Sequence, residues 1–156
     1  MLLKRFLAGL PGFAFMTEAD IEHIAQAMPV QDYETGHVFL YQDKPSHYLH
    51  LLVEGTVRVG YYGRLNHYYT VRALNPGTFF GGLSLVDGGP VMANYAADGP
   101  VKVATRPQSA FMLLYQPGSD LGCHFQHVIA THLAEDLKAR HIALRELLAR
   151  MYPSAD

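Results

Sequence analysis

Apolar positions change their period twice along the chain. Up to residue 29 they recur at helical spacing. Leu3, Phe6, Leu7 and Leu10 share one face, and Ile21, Ile24, Ala25 and Met28 share another. Pro11-Gly12 separates the two stretches. Thr17-Glu18-Ala19-Asp20 reads as an N-cap with acidic residues in the first turn, and Pro29 ends the second helix. From residue 30 to 115 the pattern shortens to β-branched and aromatic runs at 37–41, 48–53, 56–60 and 68–74. Turn signals punctuate them: Thr35-Gly36, Asp43 to Ser46, Glu54-Gly55, Asn75-Pro76-Gly77, Asp87 to Pro90 and Asp98-Gly99-Pro100. That rhythm predicts a β-sandwich or barrel. From 119 to 151 the helical period returns without interruption. Ser119 or Asp120 can cap this helix and Pro153 lies just past its end. The predicted architecture is α+β and mainly β: N-terminal helices over 1–29, a β-barrel over 30–118 and a long helix over 119–151, as a single domain over 1–156.

The long helix carries a second pattern. Ala130, Leu133, Leu137, Arg140, Leu144, Leu147 and Met151 alternate in steps of three and four, the seam of a helix pair. Arg140 is its polar member, and Asp136, one turn earlier, can neutralise it. At about 1.5 Å per residue the helix is about 48 Å long and outruns a small barrel. The expectation is a homodimer through Leu133, Leu137, Arg140, Leu144, Leu147 and Met151.

Composition narrows the function classes. A chain of 156 residues with one cysteine, Cys123, is no disulfide-stapled scaffold. Hydrophobic content of 49% against 17% charged argues for a packed globule. A net charge of −2 without a basic block weakens a direct nucleic-acid role. No apolar run reaches the roughly 18 residues of a membrane span. Lys4-Arg5 before Phe6 to Leu10 imitates a signal peptide, but Pro11-Gly12 breaks the run and no cleavage signal follows. The expected location is cytoplasmic.

The order of motifs is informative. Gly36-His37-Val38-Phe39-Leu40, then Tyr48 to Val59 with Glu54-Gly55, then Leu74-Asn75-Pro76-Gly77-Thr78-Phe79-Phe80-Gly81, then Gly82-Leu83-Ser84-Leu85 and Gly89-Pro90 form a series. It resembles the cyclic nucleotide-binding domain, the sensor module of catabolite-activator-type regulators. Phe13 to Met28 look like that family's N-terminal helices. The resemblance implies a double-stranded β-helix or jelly roll. It also implies a ligand site at Val71, Arg72, Phe80, Gly81, Gly82, Leu83, Ser84, Val91, Met92 and Ala93. The implied ligand is a cyclic nucleotide (cAMP or cGMP) or another small effector. Independently, Gly77 and Gly81 permit backbone angles closed to other residues. A short helix opening at Gly82-Leu83-Ser84 would aim free N–H groups at an anion.

The chain departs from the family at the ligand. The family pattern Phe-Gly-Glu, whose Glu holds the ribose 2′-hydroxyl, is Phe80-Gly81-Gly82 here. The pattern Pro-Arg-Ser/Thr-Ala, whose Arg pairs the phosphate, is Pro90-Val91-Met92-Ala93. One charge-assisted phosphate contact is worth about 1.5–3 kcal/mol. Weak or altered nucleotide binding is therefore expected. Arg72, on the strand before the loop, is a candidate replacement cation unless it alternates outward between Val71 and Ala73.

The 9 histidines suggest metal chemistry first. His47 and His50 faintly echo a cupin motif, but a spacing of three puts strand residues on opposite faces. Cys123, His124 and His127 are a candidate metal or haem cluster on a helix. Neither is assigned, and no metal site is expected. No nucleophile motif or P-loop occurs, and an enzyme is not expected. Tyr61-Tyr62 and Tyr68-Tyr69 flank a predicted hairpin tip at 63–67 and read as strand packing. The DNA-reading members of the family continue into a helix-turn-helix domain beyond the long helix. Asp156 follows soon after it here, so a stand-alone module without direct DNA binding is expected. Two alternatives stay open: a ligand-free homodimeric scaffold, and a cupin-like or haem-containing metal-binding protein.

Overall fold

The computed structural model describes residues 2–10, 13, 14, 16–81, 90–107 and 120–151, with part of the side chains in the last segment. Two helices open the chain, α1 (Leu2–Ala8) and α2 (Glu18–Ala27). The Thr17 hydroxyl accepts from the Asp20 N–H at 3.1 Å and starts α2, as the capping pattern predicted. Lys4 on α1 bonds Glu18 on α2 at 2.9 Å across the exposed helix–helix edge.

Eight strands follow among the described residues: β1 (Val30–Tyr33), β2 (Val38–Leu40), β3 (Tyr48–Glu54), β4 (Val57–Tyr62), β5 (Tyr68–Leu74), β6 (Phe79–Phe80), β7 (Asn94–Ala97) and β8 (Val101–Pro107). Their pairings are antiparallel and make two four-stranded sheets, ordered β1-β8-β3-β6 and β2-β7-β4-β5. Sequence neighbours are mostly not sheet neighbours, which is the winding of a β-roll. The four runs read from the sequence correspond to β2, β3, β4 and β5. The strands β1, β6, β7 and β8 are additions, because β1 is an exposed edge and β6 has only two residues.

Both faces of β3 are buried, which explains its near-continuous apolar run. Leu49, Leu51 and Val53 pack outward under the helices with Leu7, Ile24 and Phe79. Leu52 packs inward with Val57, Val59, Phe80 and Val103 between the sheets. Phe79 and Phe80 part in the same way: Phe79 stacks on Phe13 and Phe80 enters the roll. Each fully buried side chain of this size contributes roughly 1.5–3 kcal/mol.

After the strands comes α3 (Asp120–Met151), 32 residues long. Leu137, Leu144, Leu147 and Met151 on the predicted seam are exposed by 45–61%. The side chains of Leu133 and Arg140, also on that seam, lie outside the described residues.

Candidate functional site

Register decides what faces the roll interior. Opposed residues of an antiparallel pair point to the same face. His50 of β3 lies opposite Thr105 of β8 and Phe80 of β6, so all three share the inner face with Leu52 and Val103. From the second sheet come Tyr95 of β7 and Val59 of β4, which are paired with each other. Arg106 pairs with Leu49, so it sits on the outer, helix-covered side, and burial pushes its guanidinium pKa down.

Several predicted ligand residues converge. Phe80, Val91 and Ala93 are buried in one cluster. Gly81 follows Phe80 with a φ of +89°, and a Cβ there would stand 2.7 Å from the Tyr48 carbonyl oxygen. That close approach of β6 to β3, at a left-handed backbone, is what requires glycine. Met92 does not join the group; its side chain is 64% exposed. Gly82, Leu83 and Ser84 lie outside the described residues.

Arg72 does not point outward: it stands two residues from buried Leu74 and so shares the inner side of β5. The ladder pairs Val59 with Arg72 and then Gly60 with Thr70, which leaves Val71 as an extra residue. This bulge resets the alternation for Tyr68, Tyr69 and Thr70 before it and leaves Arg72 in phase with Leu74. Arg72 is half-buried opposite Val59, on the same side as Tyr95 and Leu40, while Val71 is exposed at the bulge. Arg58, by contrast, faces outward and bonds Asp98 at 2.7 Å.

The residue that sequence reasoning undervalued is His50. It is only 6% exposed. Its ring stacks on Phe80 at 5.0 Å and meets Phe39 edge-on at 5.5 Å. Phe80 in turn stacks on Tyr95 at 5.6 Å, so an aromatic row crosses the roll. His50 Nδ1 lies 3.0 Å from Thr105 Oγ1, whereas Nε2 is buried without a hydrogen-bond partner among the described residues. Burial, and secondarily the charge of His37, pushes the His50 pKa down to about 4. The signal in the sequence was parity: His50 and Leu52 are two apart in an apolar strand and so share its inner face.

His47 is exposed and does not join His50. Among the described residues no group of three His, Cys, Asp or Glu side chains comes together to hold a metal. The side chains of Cys123, His124 and His127 lie outside the described residues. The Tyr61–Tyr69 and Tyr62–Tyr68 pairs pack across the β4–β5 hairpin at 5.4 and 5.0 Å. An open depression at the far edge of the first sheet is lined by Asp32, Glu34, Glu54 and Lys102, with Lys102 3.7 Å from Glu54.

Comparison with known proteins gives the same fold. A cyclic nucleotide-binding domain from Methylobacillus flagellatus KT superposes with a TM-score of 0.72 at 21% identity, over 97% of this chain and 82% of that one. The catabolite activator protein of Thermus thermophilus superposes with a TM-score of 0.66 at 22% identity, over 90% and 62%. In sequence, the cAMP-dependent protein kinase regulatory subunit of Colletotrichum orbiculare is 32% identical over 116 residues, covering 74% of this chain and 29% of that protein. The corresponding subunit of Hypocrea atroviridis is 29% identical, covering 74% and 24%. The chain thus spans only 24–29% of the length of these relatives. Residues 30–117, more than half of the 156, match the family described as the cyclic nucleotide-binding domain, and the chain belongs to that family.

Proposed function

We propose that this chain is a regulatory module that binds a small effector inside its roll, with cyclic nucleotide binding weakened or altered relative to its family. The observation that carries the reading is Val91. By the order of motifs it falls where the family has its phosphate-pairing Arg, and at 7% exposed it is a core side chain with no charge to offer. Gly82 likewise stands where the family has its ribose-holding Glu. Half-buried Arg72, on the inner side of β5, supports a cationic contact reaching the effector from a different strand. The relatives' names, regulatory subunits and binding domains, support a non-enzymatic role.

The exposed apolar seam of α3 supports homodimerisation, with the effector biasing the position of that helix. A partner protein would then read the change. No described helix is long and apolar enough to cross a membrane.

Titration calorimetry with cAMP and cGMP tests this reading. The expected outcome is no saturation at low micromolar nucleotide. The variant Val91→Arg is expected to bind roughly tenfold to a hundredfold more tightly, the worth of about 1.5–3 kcal/mol. Submicromolar binding by the wild type, or no gain from Val91→Arg, defeats it.

A further inference from the structure

We propose that His50 contacts the effector, offering the Nε2 edge of a neutral imidazole to an uncharged hydrogen-bonding group beside Gly81. The proposal rests on the reading that the roll interior binds a small molecule, and it names the chemistry recognised there.

The first argument is the orphaned nitrogen. Thr105 Oγ1 occupies Nδ1 at 3.0 Å, while Nε2 is buried with no partner among the described residues. Buried polar atoms in native proteins are overwhelmingly hydrogen-bonded, so one left open inside a binding fold calls for a partner from outside the chain. The second argument is direction. His50 Cδ2, the carbon bonded to Nε2, lies 3.6 Å from where a Gly81 Cβ would stand. The open edge of the ring therefore lies toward the start of the predicted ligand loop and not toward the helix-covered face. The third argument is rigidity. Phe80 stacks on the ring at 5.0 Å, Phe39 holds it edge-on at 5.5 Å, and Thr105 fixes its tilt. A group so held presents one polar atom in one direction, which is what selects among ligands.

The chemistry of the partner follows from the surroundings. Burial among aromatic rings keeps the imidazole uncharged, with its pKa near 4. A neutral imidazole donates or accepts one hydrogen bond according to its tautomer, but it supplies no charge to a phosphate. Phe39, Phe80 and Tyr95 pack on one another and on the imidazole, so they make its surroundings apolar and supply no competing polar group. The moiety recognised is accordingly an uncharged hydrogen-bonding group, such as a hydroxyl, amide or ring nitrogen of a nucleoside.

The test uses the full chain with four probes: adenosine, guanosine, cAMP and cGMP. Binding is measured for the wild type, His50→Leu and His50→Gln. The Gln amide reaches about where Nε2 stands, so His50→Gln is expected to stay within about threefold of the wild type. His50→Leu is expected to weaken the best-bound probe tenfold or more, by the same factor for a nucleoside and its cyclic nucleotide, because the phosphate is not the group contacted. Equal binding by wild type and His50→Leu overturns the role of His50 and leaves the effector-binding reading standing. A wild type that binds none of the four at millimolar concentration overturns both. Should His50→Leu not fold, ¹⁵N spectra of the histidine rings in the wild type decide. The His50 Nε2 resonance shifts on saturation with the best-bound probe, and an unmoved resonance overturns the contact.

Discussion

His50 shows how one side chain links stability to function. Its native pKa of about 4 lies below the ordinary histidine value. Between about pH 6.5 and pH 4 the unfolded chain therefore binds a proton that the native chain does not. The stabilisation linked to this group is complete above pH 6.5 and is lost as pH falls toward 4, a loss approaching about 3 kcal/mol. Urea unfolding at pH 7.5 and pH 4.5 measures it. The wild type is expected to lose more stability than His50→Leu over that interval, and parallel losses sink the assignment. Gly81 is the opposite kind of residue. It carries no chemistry, but its positive φ and the nearby Tyr48 carbonyl allow nothing larger. Thus a polar atom left open and a backbone that excludes a Cβ sit side by side at the same point of the roll.

Among the elements, the β4–β5 hairpin stores the clearest local strain. Its strands are held by paired tyrosines, yet its tip places Leu65 at φ +61° and Asn66 at φ +55°. Asn tolerates the left-handed region; a branched apolar side chain does not. Leu65 is fully exposed, so no packing offsets the cost. Replacing Leu65→Gly is expected to raise stability by about 1 kcal/mol, read as a higher urea midpoint at unchanged slope. A lower midpoint would show that Leu65 makes a contact the isolated chain does not reveal. The bulge at Val71 lies on β5, the edge strand of its sheet, and shifts the phase of the tyrosine-bearing half of that strand. Arg72, on the Leu74 side of the bulge, keeps the inner face by plain alternation.

At the scale of the whole molecule, the roll is covered on one side by α1 and α2, while α3 carries its apolar seam into solvent. A chain that leaves Leu137, Leu144, Leu147 and Met151 on one exposed stripe is suited to a second copy of itself. Light scattering at micromolar concentration is expected to return about twice the 17.4 kDa of the chain. The variant Leu144→Asp is expected to return the single mass with the fold intact by circular dichroism. A monomeric wild type removes the dimer, and with it the route by which an effector would move α3.

Much of this protein is written locally. The Thr17 cap, the turn glycines at Gly36, Gly55, Gly77 and Gly99, the strand rhythm and the seam of α3 depend on residues within a few positions of one another. The proposal that Gly82 and Val91 stand in for the family's Glu and Arg likewise rests on the order of motifs alone. Other features required the tertiary structure. The edge strand β1 has little pattern of its own and exists because β8 pairs with it. Arg72 shares one side of β5 with Leu74 by simple alternation, but that this side faces the roll follows only from their pairing with Val59 and Val57 of β4. His50 in isolation is one histidine among nine; its burial, its Thr105 partner and its open Nε2 arise from strands more than fifty residues apart. Short-range steric preference and hydrophobic period are properties of the local chain. Register, and therefore which face a side chain takes and what it meets there, is settled only when the strands pair.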